Sequence, residues 1–184
     1  MRRIPTAVVL CAALAVLFAG SAQAAPFTYA DAAGDSSDRR ASMDIVAVRY
    51  DVRQVDKAGP RSLVIEMKLA APPEARLALY EVLARADGCR FNAFYRPGAV
   101  AASIGFPSAW VHTNCNSTIT LLPAEFRIDG NTLQWSIAMD ELPEWLRHGS
   151  TFSGLAATAR ICDPVGNGGP VVDQASTNTS WSYR

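Results

Sequence analysis

Four aspartates near the start of the chain are the best candidates for a metal site: Asp31, Asp35, Asp38 and Asp44. The first two flank a glycine in the irregular stretch Asp31-Ala32-Ala33-Gly34-Asp35. Carboxylates on such a loop can converge on Ca²⁺, which takes about six to eight oxygen ligands. The ligand spacing of an EF-hand is absent. The alternative is a solvated turn in which the aspartates accept hydrogen bonds from backbone N–H groups.

A second acidic stretch lies towards the other end of the chain, around the glycine- and proline-rich segment 163–170. Asp163 opens this segment and Asp173 follows it. Loops at the rim of a β-sandwich often carry binding residues, but a plain surface connection is the alternative. If the two ends of the chain form neighbouring strands, Asp163 or Asp173 adds a ligand to the first group of aspartates.

Aromatic side chains offer a different kind of site, because flat apolar rings suit the C–H faces of sugars. The candidates are Trp110, Trp145, Trp181, Tyr95 and Tyr183. Trp110 follows Ser108-Ala109, lies close to His112 and is the predicted ligand-binding residue. Trp135 and Trp145 are predicted to pack in the core, since they fall on the apolar faces of a strand and of a short helix.

The sequence carries no catalytic signature, because it contains neither G-x-S-x-G nor H-E-x-x-H. Its two histidines, His112 and His148, belong to no recognisable nucleophile motif. Cys162 with a histidine base is one remaining combination, but a lone cysteine is more often a small buried apolar residue. The acid pairs Glu141 with Glu144 and Asp140 with Glu144 suit a helix start equally well. We therefore predict a protein without enzymatic activity, with a hydrolase of unrecognised site as the alternative.

Three cysteines, Cys89, Cys115 and Cys162, remain after the predicted removal of residues 1–24. Cys89 and Cys115 each lie in a polar, turn-like stretch, and a disulfide between them would stabilise the fold by roughly 3–4 kcal/mol in the chain-entropy model. Pairing of either one with Cys162 is the alternative. A third function hypothesis is a structural cell-envelope protein that uses Cys162 to join another chain. No C-x-x-C spacing suggests a zinc site.

The first 24 residues have the three parts of an export signal. Arg2 and Arg3 are followed by the apolar stretch 7–18 and by the cleavage pattern Ala22-Gln23-Ala24. The apolar stretch has 12 residues, fewer than the ~20 that a membrane-spanning helix needs. This pattern predicts a signal peptide over residues 1–24, a single domain over residues 25–184, an extracellular or periplasmic location and no membrane span after cleavage. Cys11 leaves with the signal.

The charge of the predicted mature part is close to balanced. The whole chain has 17 basic and 17 acidic residues, and the signal takes Arg2 and Arg3 but no acid, which leaves 15 against 17. A net charge of −2 offers no basic surface for nucleic acid or anionic lipid. We therefore do not expect nucleic acid as a partner. The aromatic candidates favour a carbohydrate instead, and the Cys162 hypothesis favours a cell-envelope component.

Alternating apolar and polar residues predict strands along most of residues 45–183. The clearest are an antiparallel pair over residues 45–70 and a hairpin over residues 125–139, in which Asp129-Gly130 supplies the positive φ of a tight turn. Residues 74–86 are ambiguous, and β neighbours on both sides favour a strand. One short helix is predicted over residues 140–149. The pattern predicts an all-β antiparallel sandwich of about nine short strands.

Three segments resemble a known group of proteins: Tyr29 to Asp35, Met43-Asp44-Ile45, and Gly130 to Ile137 followed by a short helix. They are similar to small secreted bacterial β-sandwich proteins that open with a D-x-x-G-D segment, and to carbohydrate-binding family 9 and DOMON-like domains. The resemblance implies a sandwich with a non-catalytic, ligand-binding or envelope-associated role. The haem-ligand pair of cytochrome DOMON domains is absent, so haem is not implied.

Overall fold

The structure, a computed structural model, describes residues 25–55, 59–73, 78–97, 108–147, 149–162 and 168–183. Within these residues the chain forms twelve strands, a 3₁₀ turn (Ala41–Met43) and one short helix, α1 (Glu144–Arg147). In chain order the strands are β1 (Phe27–Ala30), β2 (Ile45–Gln54), β3 (Arg61–Leu69), β4 (Ala78–Ala86), β5 (Cys89–Tyr95), β6 (Ala109–Cys115), β7 (Thr118–Leu122), β8 (Glu125–Asp129), β9 (Thr132–Ala138), β10 (Thr151–Cys162), β11 (Gly168–Thr177) and β12 (Trp181–Ser182).

The strands form two sheets that pack face to face. The first sheet has the order β1-β2-β3-β9-β8, and the second has the order β11-β10-β4-β5-β6-β7, with β12 paired to β10. Every pairing between described strands is antiparallel. The predicted all-β antiparallel sandwich with one short helix is therefore confirmed, with twelve strands instead of about nine.

Two-residue turns close several of the hairpins. The β8–β9 hairpin closes with the two residues Gly130 and Asn131, and Gly130 has a φ of +57°. The β4–β5 hairpin closes with Asp87 and Gly88, at φ of 49° and 79°. Because both of its turn residues have positive φ, the β4–β5 turn is of type I′, and the twist of such a turn matches that of the flanking strands. The predicted hairpin over 125–139 and the predicted strand in 74–86 are both confirmed.

The core lies between the two sheets, because inward and outward side chains alternate along each strand. The largest fully buried side chains come from both sheets: Tyr50, Ile65, Trp135, Tyr80, Phe91 and Phe152. The Nε1–H of Trp135 donates to the carbonyl oxygen of Phe94 across the core at 2.9 Å. The predicted core position of Trp135 is confirmed, and its indole N–H has the partner that a buried tryptophan needs.

Three strands were not predicted from the sequence pattern, namely β1, β6 and β11. The helix also differs from its prediction: it begins at Glu144, directly after Pro143, and not near Asp140. The predicted strand over residues 100–106 and the predicted signal peptide lie outside the described residues. No helix in the described part of the chain has the length and apolar character needed to cross a membrane.

Candidate functional site

Four aspartates meet at one side of the sandwich, where the edge strands β1 and β11 of the two sheets approach each other. This carboxylate cluster consists of Asp31, Asp35, Asp44 and Asp173. Asp31 directly follows β1, Asp44 directly precedes β2, and Asp173 lies in β11. Ser37 fixes the intervening loop to β11, because its N–H and its hydroxyl both donate to the carbonyl oxygen of Val172, at 2.8 and 2.9 Å.

The spacing within the cluster fits a single cation. One carboxylate oxygen from each of Asp31, Asp35 and Asp173 lies within 4.8 Å of the other two. Calcium binds oxygen at about 2.3–2.6 Å, so two of its ligands cannot be more than about 5 Å apart. No ion pair between described residues includes a member of the cluster. The three carboxylates therefore face one another without a basic side chain to balance them.

Backbone hydrogen bonds hold two of these carboxylates in place. Asp44 Oδ2 accepts the N–H of Gly34 at 2.7 Å, which ties the start of β2 to the loop that carries Asp35. Asp173 accepts the N–H of Ile45 with one oxygen and the N–H of Gln174 with the other, the latter at 2.9 Å. Since these bonds occupy the strand-borne carboxylates, the positions of Asp44 and Asp173 are set by the fold itself.

Two oxygens of the cluster have no protein partner. Asp31 Oδ2 and Asp44 Oδ1 are buried, and neither has a hydrogen-bond partner among the described residues. Asp44 as a whole is only 4% exposed. A buried carboxylate oxygen without a partner costs about 1–3 kcal/mol or more. A bound cation would remove that cost, so the donor set fits a hard divalent ion such as calcium.

The cluster also shifts the acidity of its members. Burial raises the pKa of the Asp31 carboxyl, and the nearby charges of Asp35 and Asp44 raise this pKa further. Burial likewise raises the pKa of Asp173, and the charges of Asp35 and Asp31 add to the rise, while two backbone hydrogen bonds oppose it. Repulsion between like charges is thus present in the cation-free protein.

The structure places Asp38, the fourth aspartate of the sequence prediction, outside this group. Its carboxylate pairs with Arg40, whose Nε lies 2.6 Å from Oδ2, and accepts the hydroxyl of Ser36 at 2.9 Å. Burial opposes ionisation of Asp38, but these hydrogen bonds and the Arg40 charge lower its pKa overall. Asp173 takes part in the cluster instead, as the juxtaposition of the two chain ends predicted. Asp163 lies outside the described residues.

Trp110 lies on the outer face of the second sheet, in a row of stacked rings. Phe94 on β5 stacks on Trp110 of β6 with ring centroids 4.9 Å apart, and on His112 of β6 at 5.3 Å. We call Phe94, Trp110 and His112 the aromatic row. All three are half-buried, so part of each ring faces solvent. The sequence pattern identified Trp110 but missed Phe94, whose neighbour is known only once β5 and β6 are paired.

Polar side chains border the aromatic row. Asn92 is directly opposite His112 in the β5–β6 register, and its Nδ2 lies 3.4 Å from His112 Nε2. Burial lowers the pKa of His112, which keeps the ring neutral and able to accept this hydrogen bond. Glu81 on β4 is opposite Phe94, and its carboxylate lies 3.8 Å from the guanidinium of Arg160. The row thus combines flat apolar rings with hydrogen-bonding groups.

The other aromatic candidates do not lie on this face. Trp181 and Tyr183 are buried and stack in the core beside Phe152. Tyr95 stacks on Phe126 of the first sheet, with centroids 4.6 Å apart, and therefore points between the sheets. Trp145 is half-buried on α1 and packs against the core. Trp110 is thus the one member of the predicted set that the described structure presents on an outer sheet face.

One disulfide joins Cys89 and Cys115, with a Cα–Cα distance of 4.6 Å, as predicted. It links the first residue of β5 to the last residue of β6, so it closes the pair of strands that carries the aromatic row. The remaining predicted chemical groups are dispersed. Cys162 is 4% exposed at the end of β10, and the acids Asp140, Glu141 and Glu144 are all exposed. His148 lies outside the described residues.

Comparisons of the chain with protein families, with curated proteins and with solved structures give no match. The resemblance to carbohydrate-binding family 9 and DOMON-like sandwiches therefore stays a prediction from short motifs. The carboxylate cluster and the aromatic row rest on geometry alone.

Proposed function

We propose that this protein is a secreted, non-catalytic binding module that holds carbohydrate on the outer face of its second sheet. The observation that carries the proposal is the aromatic row. Phe94 and Trp110 expose part of their ring surface on the outer face of the sheet, and the C–H groups of a sugar can pack on such apolar surface while its hydroxyl groups stay hydrated.

Hydrogen-bonding groups beside the row supply the second requirement of sugar recognition. Asn92 is half-buried on the same face and its Oδ1 has no partner among the described residues, so a turn of its amide group would let it accept a sugar hydroxyl. The neutral His112 and the half-buried Asn114 extend this polar border along β6. A few well-placed polar groups on an apolar surface are the usual composition of a small-molecule or cofactor site.

The disulfide supports the proposed location. Disulfides persist in oxidising compartments outside the cytoplasm, and the Cys89–Cys115 bond closes two strands of the binding face. A cell-envelope or extracellular glycan is therefore the expected partner. Burial of Cys162 argues against the alternative in which this residue links the protein to another chain.

Substitution of Trp110 tests the binding face. The mature protein is screened against a panel of immobilised polysaccharides by affinity electrophoresis, and the best ligand is then titrated by calorimetry. We expect Trp110→Ala to weaken binding about tenfold, because one stacking contact of ~1.4 kcal/mol is lost. The unfolding temperature should fall only slightly, because Trp110 loses its stacking on Phe94 but does not pack against the core as Trp145 does.

Trp145→Ala is the matched control, because Trp145 is also half-buried but lies on α1, away from the second sheet face. It should lower stability and leave the affinity unchanged. Retention on none of the polysaccharides, or equal affinity of the Trp110→Ala variant and the wild type, would contradict the proposal.

Calcium binding at the carboxylate cluster is a second proposal, and a specific observation favours it: Asp31, Asp35 and Asp173 converge while Asp44 keeps a buried unpartnered oxygen. Asp31, Asp35, Asp44 and Asp173 would hold the ion. The ion would neutralise the mutual repulsion of these side chains and would pin the β1–β2 loop to β11. Its role is structural, because the cluster lies at the edge of the sheets and not on the aromatic face.

Thermal unfolding tests the ion. With a dissociation constant of about 10⁻⁴–10⁻³ M, typical of extracellular modules, ~10 mM calcium should stabilise the protein by about 2 kcal/mol and raise its unfolding temperature by roughly 5 °C relative to a chelator. Asp35→Asn should abolish most of this rise. Asp129→Asn, an equally exposed change in the β8–β9 turn, should not. An unfolding temperature that is the same with calcium and with chelator would remove the ion from the proposal.

A further inference from the structure

We infer that the carbohydrate held on the second sheet is an acidic one, a uronate polymer whose carboxylates are bound by Arg85 and Arg90. This inference rests on the proposed function and names its ligand class. No sequence motif marked the part of the outer face that carries these two arginines.

Arg85 and Arg90 are directly opposite each other on β4 and β5. Both are exposed, and no carboxylate of the described residues lies within 4.0 Å of either guanidinium. Like charges directly opposite in a sheet are destabilising, since their Cβ atoms are only about 5 Å apart. Other strand arginines, such as Arg53 and Arg160, do lie beside acids. No acidic side chain of the described residues neutralises this pair, so an anionic ligand would stabilise it.

A shallow depression lies beside this pair. It has a volume of about 230 Å³, and its lining includes Arg85, Arg90, Asn92 and Gly154. Gly154 makes the depression possible: the β10–β4 register shifts between Ser153 and Ala156, the glycine has a φ of +56°, and no atom lies within 4 Å of where its Cβ would be. A bulge with a glycine bends the strand and leaves open space above it.

The size of the depression indicates one unit of a longer ligand. At about 230 Å³ it is below the ~300–1,000 Å³ of sites that enclose a whole small molecule. Asn92, which lines it, is opposite His112, so the depression lies beside the aromatic row. Arg90 and Phe94 are four residues apart on β5, about 13 Å along a strand. A ligand that contacts both is therefore an oligomer.

The charge balance of the face favours a uronate over a more densely charged polymer. Two arginines offer planar forks that match a carboxylate bidentately. Glu81 lies on the same outer face, opposite Phe94, and would repel closely spaced anionic groups. The predicted mature chain also has a net negative charge. A sugar ring with a single carboxylate suits this arrangement, because it pairs with the arginines and still has an apolar face for the aromatic row.

The experiment compares polygalacturonate with its methyl-esterified form, using calorimetry on the whole mature protein. Esterification removes the charge and keeps the sugar chain. We expect the wild type to bind the free acid at least about tenfold more tightly, and the difference to shrink as salt is added. Arg90→Gln and Arg85→Gln should each lose about tenfold for the free acid and nothing for the ester. Arg90→Lys should be intermediate, because it keeps the charge but not the fork.

Arg127→Gln is the matched control, since it removes the same charge from an exposed position on β8 of the other sheet. Each variant is melted to show that its fold is retained. Equal affinity for acid and ester, an equal loss in the Arg127→Gln control, or tighter binding of dextran sulfate would overturn the inference. If Trp110→Ala weakens binding of the ester while the arginine variants bind the free acid as tightly as the wild type, the inference fails and the proposed function stands. If no glycan binds, both fail.

Discussion

The aromatic row and the carboxylate cluster are assembled over different distances along the chain. The row and the arginine pair come from β4, β5 and β6, which are neighbours both in sequence and in the sheet. The cluster joins residues 31–44 to Asp173, and the hydrogen bond from Ile45 to Asp173 spans 128 positions. The row is therefore a product of local strand pairing, whereas the cluster exists only after both sheets have packed.

This difference separates what each site can do. The row faces solvent, so changing its side chains should alter binding and leave folding nearly intact. The cluster brings like charges together where two edge strands meet, and Asp44 and Asp173 are buried, so changing its charge should alter stability. A perturbation that acts on one site and spares the other would sharpen the comparison.

The largest expected effect comes from the disulfide beside the aromatic row. Cys89→Ser with Cys115→Ser opens a link across 26 positions. In the chain-entropy model the loss is about 3.5 kcal/mol, or roughly 10 °C in unfolding temperature. Glycan affinity should fall as well, because the bond closes the strands that carry Phe94 and Trp110. Thermal unfolding and calorimetric titration measure the two effects.

Reductant provides the control for this variant. Wild-type protein in reductant should reproduce the loss, and the double variant should be insensitive to reductant. The calcium-dependent rise in unfolding temperature should persist in the double variant, since the cluster lies on β1, β2 and β11. Loss of the calcium effect together with the disulfide would break the proposed independence of the two sites.

A smaller effect is expected from pH, and it reports on the cluster. An acid with a higher pKa in the folded than in the unfolded state favours folding when it is protonated. The pKa values of Asp31 and Asp173 are both raised above 3.8. The calcium-free protein should therefore gain stability as pH falls from neutral through these raised pKa values towards 3.8. The pKa of Asp38 is lowered from 3.8, so its protonation destabilises the fold only at pH values below 3.8.

Melting in chelator at a series of pH values from neutral towards 3.8 measures this gain as a rise in unfolding temperature. Asp35→Asn should reduce it, because the Asp35 charge raises both pKa values. Part of the gain should remain, since burial also raises the pKa of Glu81 on the other face. Asp129→Asn should keep the wild-type slope. A fall in stability over the same range would show that the cluster is not strained by its charges.

Much of the sandwich was predictable because period-2 alternation and turn residues act locally. Alternation identified β2, β3 and β9, and Gly130 identified the β8–β9 turn. Strand β11 escaped prediction because its glycines and its buried Asp173 do not alternate; it becomes a strand by pairing with β10. Strand β6 escaped because Thr113, which faces inward, is polar. In both strands the sheet partner outweighs the local preference.

The sequence alone predicted a β-sandwich and favoured the pairing of Cys89 with Cys115 over a pairing with Cys162. It also indicated Asp31, Asp35, Asp38 and Asp44 as candidate metal ligands and Trp110 as a candidate binding residue. Only the tertiary structure decided that Asp173 replaces Asp38 in the cluster, that Phe94 stacks on Trp110, and that Arg85 faces Arg90 with no acid of the described residues beside them. The physical reason is that alternation tells which way a side chain points within its strand. Sheet order and register, which set its neighbours, come from packing between distant segments.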